Sequence, residues 1–234
     1  YDRASFVELT DLGELPEDTS NIFFVLKKKQ TRAIFFDSFE DGADTYQLLF
    51  RAMKSYGIGV DILANVLRIF DENIDDLKQL DDHNYQLVFQ GHEKIMSDTQ
   101  LIYMLSSGTT KGLLLYTLVV ASLKEGFDLL VDEVENHFHK TLVENIISLY
   151  KDKTVNQHNA TLIFTTHYCE VLDQMGRQDN IWICKANSHV YLSNMYEDYQ
   201  IRPELLKSKQ YYNNAFQTAV NYDELMSLKR KLKI

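Results

Sequence analysis

Two adjacent carboxylates close a hydrophobic run, Phe127-Asp128-Leu129-Leu130-Val131-Asp132-Glu133. Acids in that position could hold Mg2+ through one side chain and activate a water with the other, the pairing that nucleotide hydrolysis needs. The run itself predicts a strand buried on both faces, with the acids emerging at the C-terminal edge where α/β sheets bind ligands. A strand that simply runs into an acidic cap has the same pattern. Upstream, Leu105-Ser106-Ser107-Gly108-Thr109-Thr110 directly precedes an apolar helix pattern. Small residues let a backbone approach an anion closely, and the N–H groups and positive dipole end of the helix could then hold a phosphate. An ordinary N-cap uses the same residue types. Downstream, Thr165-Thr166-His167 follows the apolar run Thr161-Leu162-Ile163-Phe164. A histidine at a strand end can hydrogen-bond a phosphate or orient a water; a plain surface or core histidine fits equally. His137 and His139 lie near Glu133 and Glu135, but their i, i+2 spacing does not put two ligands on one helix face, and a zinc site is rejected.

The elements that must position these residues follow from periodicity. The stretch 113–123 is long enough for a helix, a second helix is expected at about 138–150, and Thr161–Phe164 reads as a second buried strand. A short helix and the strand patterns 181–184 and 189–192 come next. Helices alternating with buried strands predict an α/β layered domain with a largely parallel sheet. Before it, residues 22–26 and 33–36 are strand candidates, and 44–56 reads as a helix with Tyr46, Leu49, Phe50 and Met53 on one face. Asp61 is expected to cap a further helix carrying Ile62, Leu63, Val66, Leu67 and Phe70, and Tyr85, Leu87 and Phe89 alternate like a strand. This first third reads as a small mixed lobe.

Composition sets the bounds. The chain has 234 residues, 45% hydrophobic and 12% aromatic, with 9 Gly, which excludes a fibre or a disordered tail and permits a sizeable core. The longest apolar run, Leu113–Leu123, is too short to cross a bilayer, and no charged-then-apolar leader opens the chain. Two cysteines, Cys169 and Cys184, make no disulfide framework, so a reducing cytoplasm is expected. Residues 1–100 carry 19 acidic and 10 basic side chains, and residues 101–234 carry 15 and 14. The acidic half disfavours broad non-specific nucleic-acid binding through that surface. Asp75-Asp76 and Asp81-Asp82 read as a solvated face among polar loop residues. The basic C-terminus (Lys229, Arg230, Lys231, Lys233) suits either phosphate contact or the last turn of a helix.

The three motifs, in order and spacing, resemble the C-terminal half of ATP-binding-cassette ATPases. Leu105–Thr109 resembles the signature motif, Val131-Asp132-Glu133 the Walker B strand with its following glutamate, and Thr165-Thr166-His167 the switch-histidine loop. Glu135-Asn136-His137-Phe138-His139 and the tail from Arg202 to Phe216 are similar to bacterial AAA-family ATPases related to RecF and chromosome-maintenance proteins, among them abortive-infection and phage-defence ATPases. The resemblance implies a P-loop NTPase-type fold, ABC ATPase-like, divided as a lid or insertion lobe at 1–84, an ATPase core at 85–195 and a helical tail at 196–234. It implies ATP and Mg2+ as cofactors, with Asp132 holding Mg2+ through water and Glu133 polarising the attacking water. His167 would contact the γ-phosphate, and Ser106, Ser107, Gly108 and Thr109 would bind ATP held by the opposite subunit of a homodimer. Ser107 and Thr109 depart from the transporter pattern, which turns the resemblance away from transporter subunits.

The Gly-x-x-x-x-Gly-Lys-Ser/Thr loop that cradles phosphates in this family has no match in the 234 residues. Lys111-Gly112 has the wrong order, and Tyr56-Gly57-Ile58-Gly59-Val60 lacks the lysine and the hydroxyl. With a chain that opens on Tyr1, the expectation is the C-terminal portion of a longer ATPase, nearly inert alone, that acts with an effector protein or DNA and without a membrane. A non-hydrolysing dimerisation or partner-binding domain is the second expectation. A metal-dependent nuclease using Asp132, Glu133 and Glu135 is a weaker third.

Overall fold

The computed structural model describes residues 33–37, 43–136, 138–186, 189–199, 201–202, 204–218 and 222–232. The strand expected at 22–26 and the candidate ligand His137 lie outside the described residues. The chain divides into two units, Tyr1–Thr166 and His167–Ile234.

The first unit is organised by a three-stranded parallel sheet of order β1-β5-β6, formed by β1 (Ala33–Asp37), β5 (Asp128–Asp132) and β6 (Leu162–Phe164). β5 lies in the middle, with Ala33 opposite Asp128, Asp37 opposite Asp132, and Val131 opposite Phe164. With period-2 alternation, Ile34, Phe36, Leu129 and Val131 point to one face, and all four are buried. The expectation of a strand buried on both faces needs correction. Leu130 is only half-buried, and its cross-strand neighbours Phe35 and Ile163 are 38% and 54% exposed, so the second face presents an open apolar row. On that second face β5 itself carries Asp128 and Asp132 beside Leu130, so its alternation already marks one face for burial.

Between β1 and the signature residues come α1 (Ala43–Tyr56), α2 (Val60–Phe70), and the antiparallel sheet of β2 (Ile74–Gln79), β3 (Asn84–Phe89) and β4 (His92–Ser97). α3 (Asp98–Met104) follows, opened by a capping box between Ser97 and Gln100. Asp61 does not cap α2 as expected. Gly59 occupies that place without a side-chain bond, and Asp61 sits in the first turn, where its charge complements the dipole. Asp75 and Asp76 also depart from the loop expectation and lie within β2, with Asp76 paired to Arg68 at 3.3 Å. Within the segment expected to form a lid, β1 joins the parallel sheet and α1 and α2 pack against the helix that follows the signature residues.

That helix, α4 (Ser107–Glu125), is the spine of the unit: 13 of its 19 residues are buried, including Leu113, Leu115, Leu118 and Val119. It ends at Gly126, whose φ of 77° is the left-handed conformation of a helix stop, with its N–H on Ser122 O at 2.8 Å. Ser122 Oγ donates to Phe127 O at 2.6 Å and turns the chain directly into β5. α5 (Lys140–Lys151) packs on α4, and the Tyr116 hydroxyl ties the two by donating to Asn145 Oδ1 at 3.2 Å. Burial pushes the Tyr116 phenol up to about 12.

The second unit has a 3-10 helix (Cys169–Gln174), the antiparallel pair β7 (Trp182–Ala186) and β8 (Val190–Asn194), and helices α6 (Met195–Asp198), α7 (Lys207–Tyr212) and α8 (Tyr222–Lys231). Ile181, Ile183, Met195 and Phe216 form its core, and Tyr199 packs edge-on to Phe216. The outer face of the hairpin leaves Trp182, Val190 and Leu192 exposed. Lys229, Arg230 and Lys231 occupy the last turn of α8. Among the described residues no helix is long and apolar enough to cross a membrane.

Gly112 marks the tightest contact of the first core. A Cβ built there would lie 2.0 Å from the ring of Phe70, which also meets Tyr116 edge-on and packs against Phe138. Gly112→Ala gains about 1 kcal/mol of helix propensity but overpacks this ring. The expected net effect is a loss of about 1–2 kcal/mol in urea unfolding, partly recovered when Phe70→Leu makes room.

Candidate active site

β5 delivers Asp132 as its last residue, and the chain turns sharply at Glu133, which has φ of 45°. A β-carbon in this left-handed region costs about 1–2 kcal/mol, so the conformation must be held from outside. Thr165, one residue past β6, holds it. Its Oγ1 donates to Asp132 Oδ1 at 2.6 Å and accepts from the Glu133 N–H at 2.7 Å. Its backbone completes the brace, with Thr165 N on Val131 O and Val134 N on Thr165 O, both at 3.0 Å. Asp132 and Glu133 are half-buried and Thr165 is exposed, so the pair sits at the rim of the sheet, open to a ligand.

Beyond the acids, Asn136 N bonds Glu133 O and Phe138 N bonds Glu135 O, each at 2.8 Å, closing a tight turn that buries Phe138. His139 then caps α5, its Nδ1 accepting from Thr141 N at 3.3 Å. The signature residues form the other cluster. Ser106 is the N-cap of α4, and its Oγ accepts from Thr109 N at 3.0 Å and lies 2.8 Å from Thr109 Oγ1. The N-cap reading of this serine is therefore realised, and it leaves the phosphate reading intact. Ser106 and Ser107 are exposed, Gly108 and Thr109 half-buried, and helix geometry gives the N–H groups of Ser107 and Gly108 no intrahelical partner.

The structure thus joins Asp132, Glu133 and Thr165 by direct hydrogen bonds and gathers Ser106, Ser107, Gly108 and Thr109 into one exposed helix start. His167 is exposed and opens the second unit. Thr165 is the residue that sequence reasoning passed over. Its signal was present as a hydroxyl at the end of the strand neighbouring the two acids. Among the described residues no three His, Cys, Asp or Glu side chains gather into a metal-binding group. A Mg2+ ion held by Asp132 would complete its shell with water and substrate phosphates, the usual habit of that ion. Asp132 fits that use as a half-buried carboxylate at the sheet rim, the hard oxygen donor that Mg2+ takes.

A central strand ending in two acids within a parallel sheet, with an exposed helix start before it, defines a P-loop NTPase-like AAA domain. Residues 15–173 match the family described as "AAA domain, putative AbiEii toxin, Type IV TA system". The match spans more than half of the chain, which belongs to this AAA domain family. No curated protein matches it.

Glu133 carries a stability cost that its chemistry would justify. Glu133→Gly removes the β-carbon penalty, and the expected outcome is a gain of about 1 kcal/mol in urea unfolding. A loss of stability would show that the φ of 45° carries no strain.

Proposed function

We propose that the chain supplies the hydrolytic half of an ABC-type ATPase site that forms when two copies enclose ATP. The observation that carries this reading is the Asp132–Thr165–Glu133 arrangement on a parallel-sheet edge. Asp132 would hold Mg2+ through water, and that ion, when bound, neutralises charge building on the phosphates. Glu133 would accept a proton from the attacking water, whose orientation its fixed backbone sets. His167 would contact the γ-phosphate. The exposed turn Ser106-Ser107-Gly108-Thr109 supports contact with the γ-phosphate of ATP on a partner copy, through backbone N–H groups and the helix dipole.

The open row Phe35, Leu130 and Ile163 supports a further layer against the parallel sheet, since such sheets are ordinarily covered on both faces. A phosphate-cradling lobe would supply that cover. The family description, with its putative AbiEii toxin and type IV TA system, supports a toxin–antitoxin setting, and the sequence resemblance favours coupling of hydrolysis to phage defence or DNA maintenance. The cell's cytoplasm suits both.

A second reading is favoured by the missing Gly-x-x-x-x-Gly-Lys-Ser/Thr loop: a domain that dimerises or binds partners without turnover. Glu133→Gln in the protein carrying this chain decides between them. The first reading expects ATP hydrolysis to fall by about 100-fold or more while ATP affinity stays within about threefold. Hydrolysis at the wild-type rate would overturn the assignment of Glu133. No ATP turnover by the wild type, with the nucleotide bound, would select the second reading.

A further inference from the structure

We infer that Thr165 is the positioning residue of the hydrolytic pair: its hydroxyl sets both the rotamer of Asp132 and the backbone conformation of Glu133. The inference rests on the hydrolytic reading above and extends it to a residue that touches neither water nor phosphate in that reading.

A threonine hydroxyl has one proton and two acceptor lone pairs. Here the proton goes to Asp132 Oδ1 at 2.6 Å, so the Glu133 N–H at 2.7 Å meets a lone pair. The two bonds are mutually consistent in only this direction, because an ionised carboxylate cannot donate and an amide N–H cannot accept. A bond to an ionised group is stronger than a neutral one, so the hydroxyl is oriented by Asp132 and in turn fixes Glu133. Through one oxygen, the group that would hold Mg2+ and the group that would take the proton keep a constant relation.

The hydroxyl is not needed to pair the strands. Thr165 N on Val131 O and Val134 N on Thr165 O, both backbone bonds, hold β6 to β5 whatever the side chain is. The side chain is exposed and buries little apolar surface, so its loss opens no cavity. What its loss releases is the Glu133 amide, and with it the restraint on a backbone at φ of 45° that relaxes toward the extended region when freed. That relaxation swings the carboxylate away from its place, and displacements of about 1 Å at such groups cost about 100-fold in rate.

Thr165→Val keeps shape and removes the hydroxyl; Thr165→Ser keeps the hydroxyl. In the protein carrying this chain, Thr165→Val is expected to lower kcat for ATP by about tenfold or more with ATP affinity within about threefold, and Thr165→Ser to recover kcat to within about threefold of wild type. On the chain itself, amide hydrogen exchange at Glu133 is expected to accelerate about tenfold in Thr165→Val and to stay protected in Thr165→Ser. Wild-type kcat in Thr165→Val, a Ser variant as slow as the Val variant, or unchanged exchange at Glu133 would each overturn the inference. So would parallel losses of kcat, ATP affinity and melting temperature, the signature of a merely structural role. Glu133→Gln in the same assay separates the levels. Wild-type turnover there overturns the hydrolytic reading and the catalytic part of this inference, while slow Glu133→Gln with normal Thr165→Val overturns only the positioning role.

Discussion

The end of β5 is fixed by hydrogen bonds from one residue of the neighbouring chain segment, and the candidate site depends on that constraint. β5 is paired along one edge with β1 and along the other with β6, so the strand cannot slide or twist independently. Parallel pairing puts the C-terminal ends of all three strands on one side, and the residues just beyond them meet there. Thr165 reaches across from the end of β6 and binds residues 131, 132, 133 and 134 of the other strand and its turn. The sheet edge therefore fixes the Asp132 carboxylate and the Glu133 backbone through one neighbour.

A second dependency runs through α4. One helix fills the core with its middle and presents Ser106, Ser107 and Gly108 at its start. Because Gly112 accepts the tip of the Phe70 ring and Gly126 stops the helix against Ser122, the axial position of α4 is set at two points. The exposed first turn inherits that position. A turn built on a buried spine costs no further ordering when it meets an anion, which suits a phosphate-contacting role better than a mobile loop would.

Much of this was legible in residue patterns. The hydrophobic run ending at Asp132-Glu133 becomes the central strand, Ser106 and its followers become a helix start, and the helices expected at 44–56 and 138–150 lie at Ala43–Tyr56 and Lys140–Lys151. Those features are local: periodicity, caps and strand ends are written in consecutive residues. What escaped is relational. The pairing of β1 with β5 joins residues about a hundred positions apart, and the bare face at Phe35, Leu130 and Ile163 depends on which layers cover the sheet. Asp61 has the residue type of a good cap, but the chain conformation at Gly59 starts the helix two residues earlier. The role of Thr165 needs the register of two strands, which no single segment encodes.

The backbone at Glu133 is one place where local preference and observed conformation disagree, and there the disagreement falls beside the candidate site. At the other described positions, Gln217 at 58° apart, positive φ falls where chain chemistry explains it. Gly57, Gly91 and Gly126 have no β-carbon to strain, and Asn159 and Asn214 are of the type that tolerates this region. Gln90 shares a two-residue hairpin turn with Gly91 between β3 and β4, a turn that demands positive φ at both positions. Glu133 has none of these reasons: it is not in a hairpin, is not a tolerant type, and follows a parallel strand. A glycine there would fold more easily. The chain instead places a carboxylate and holds it with Thr165, which is the pattern expected when a strained residue is kept for what its side chain does.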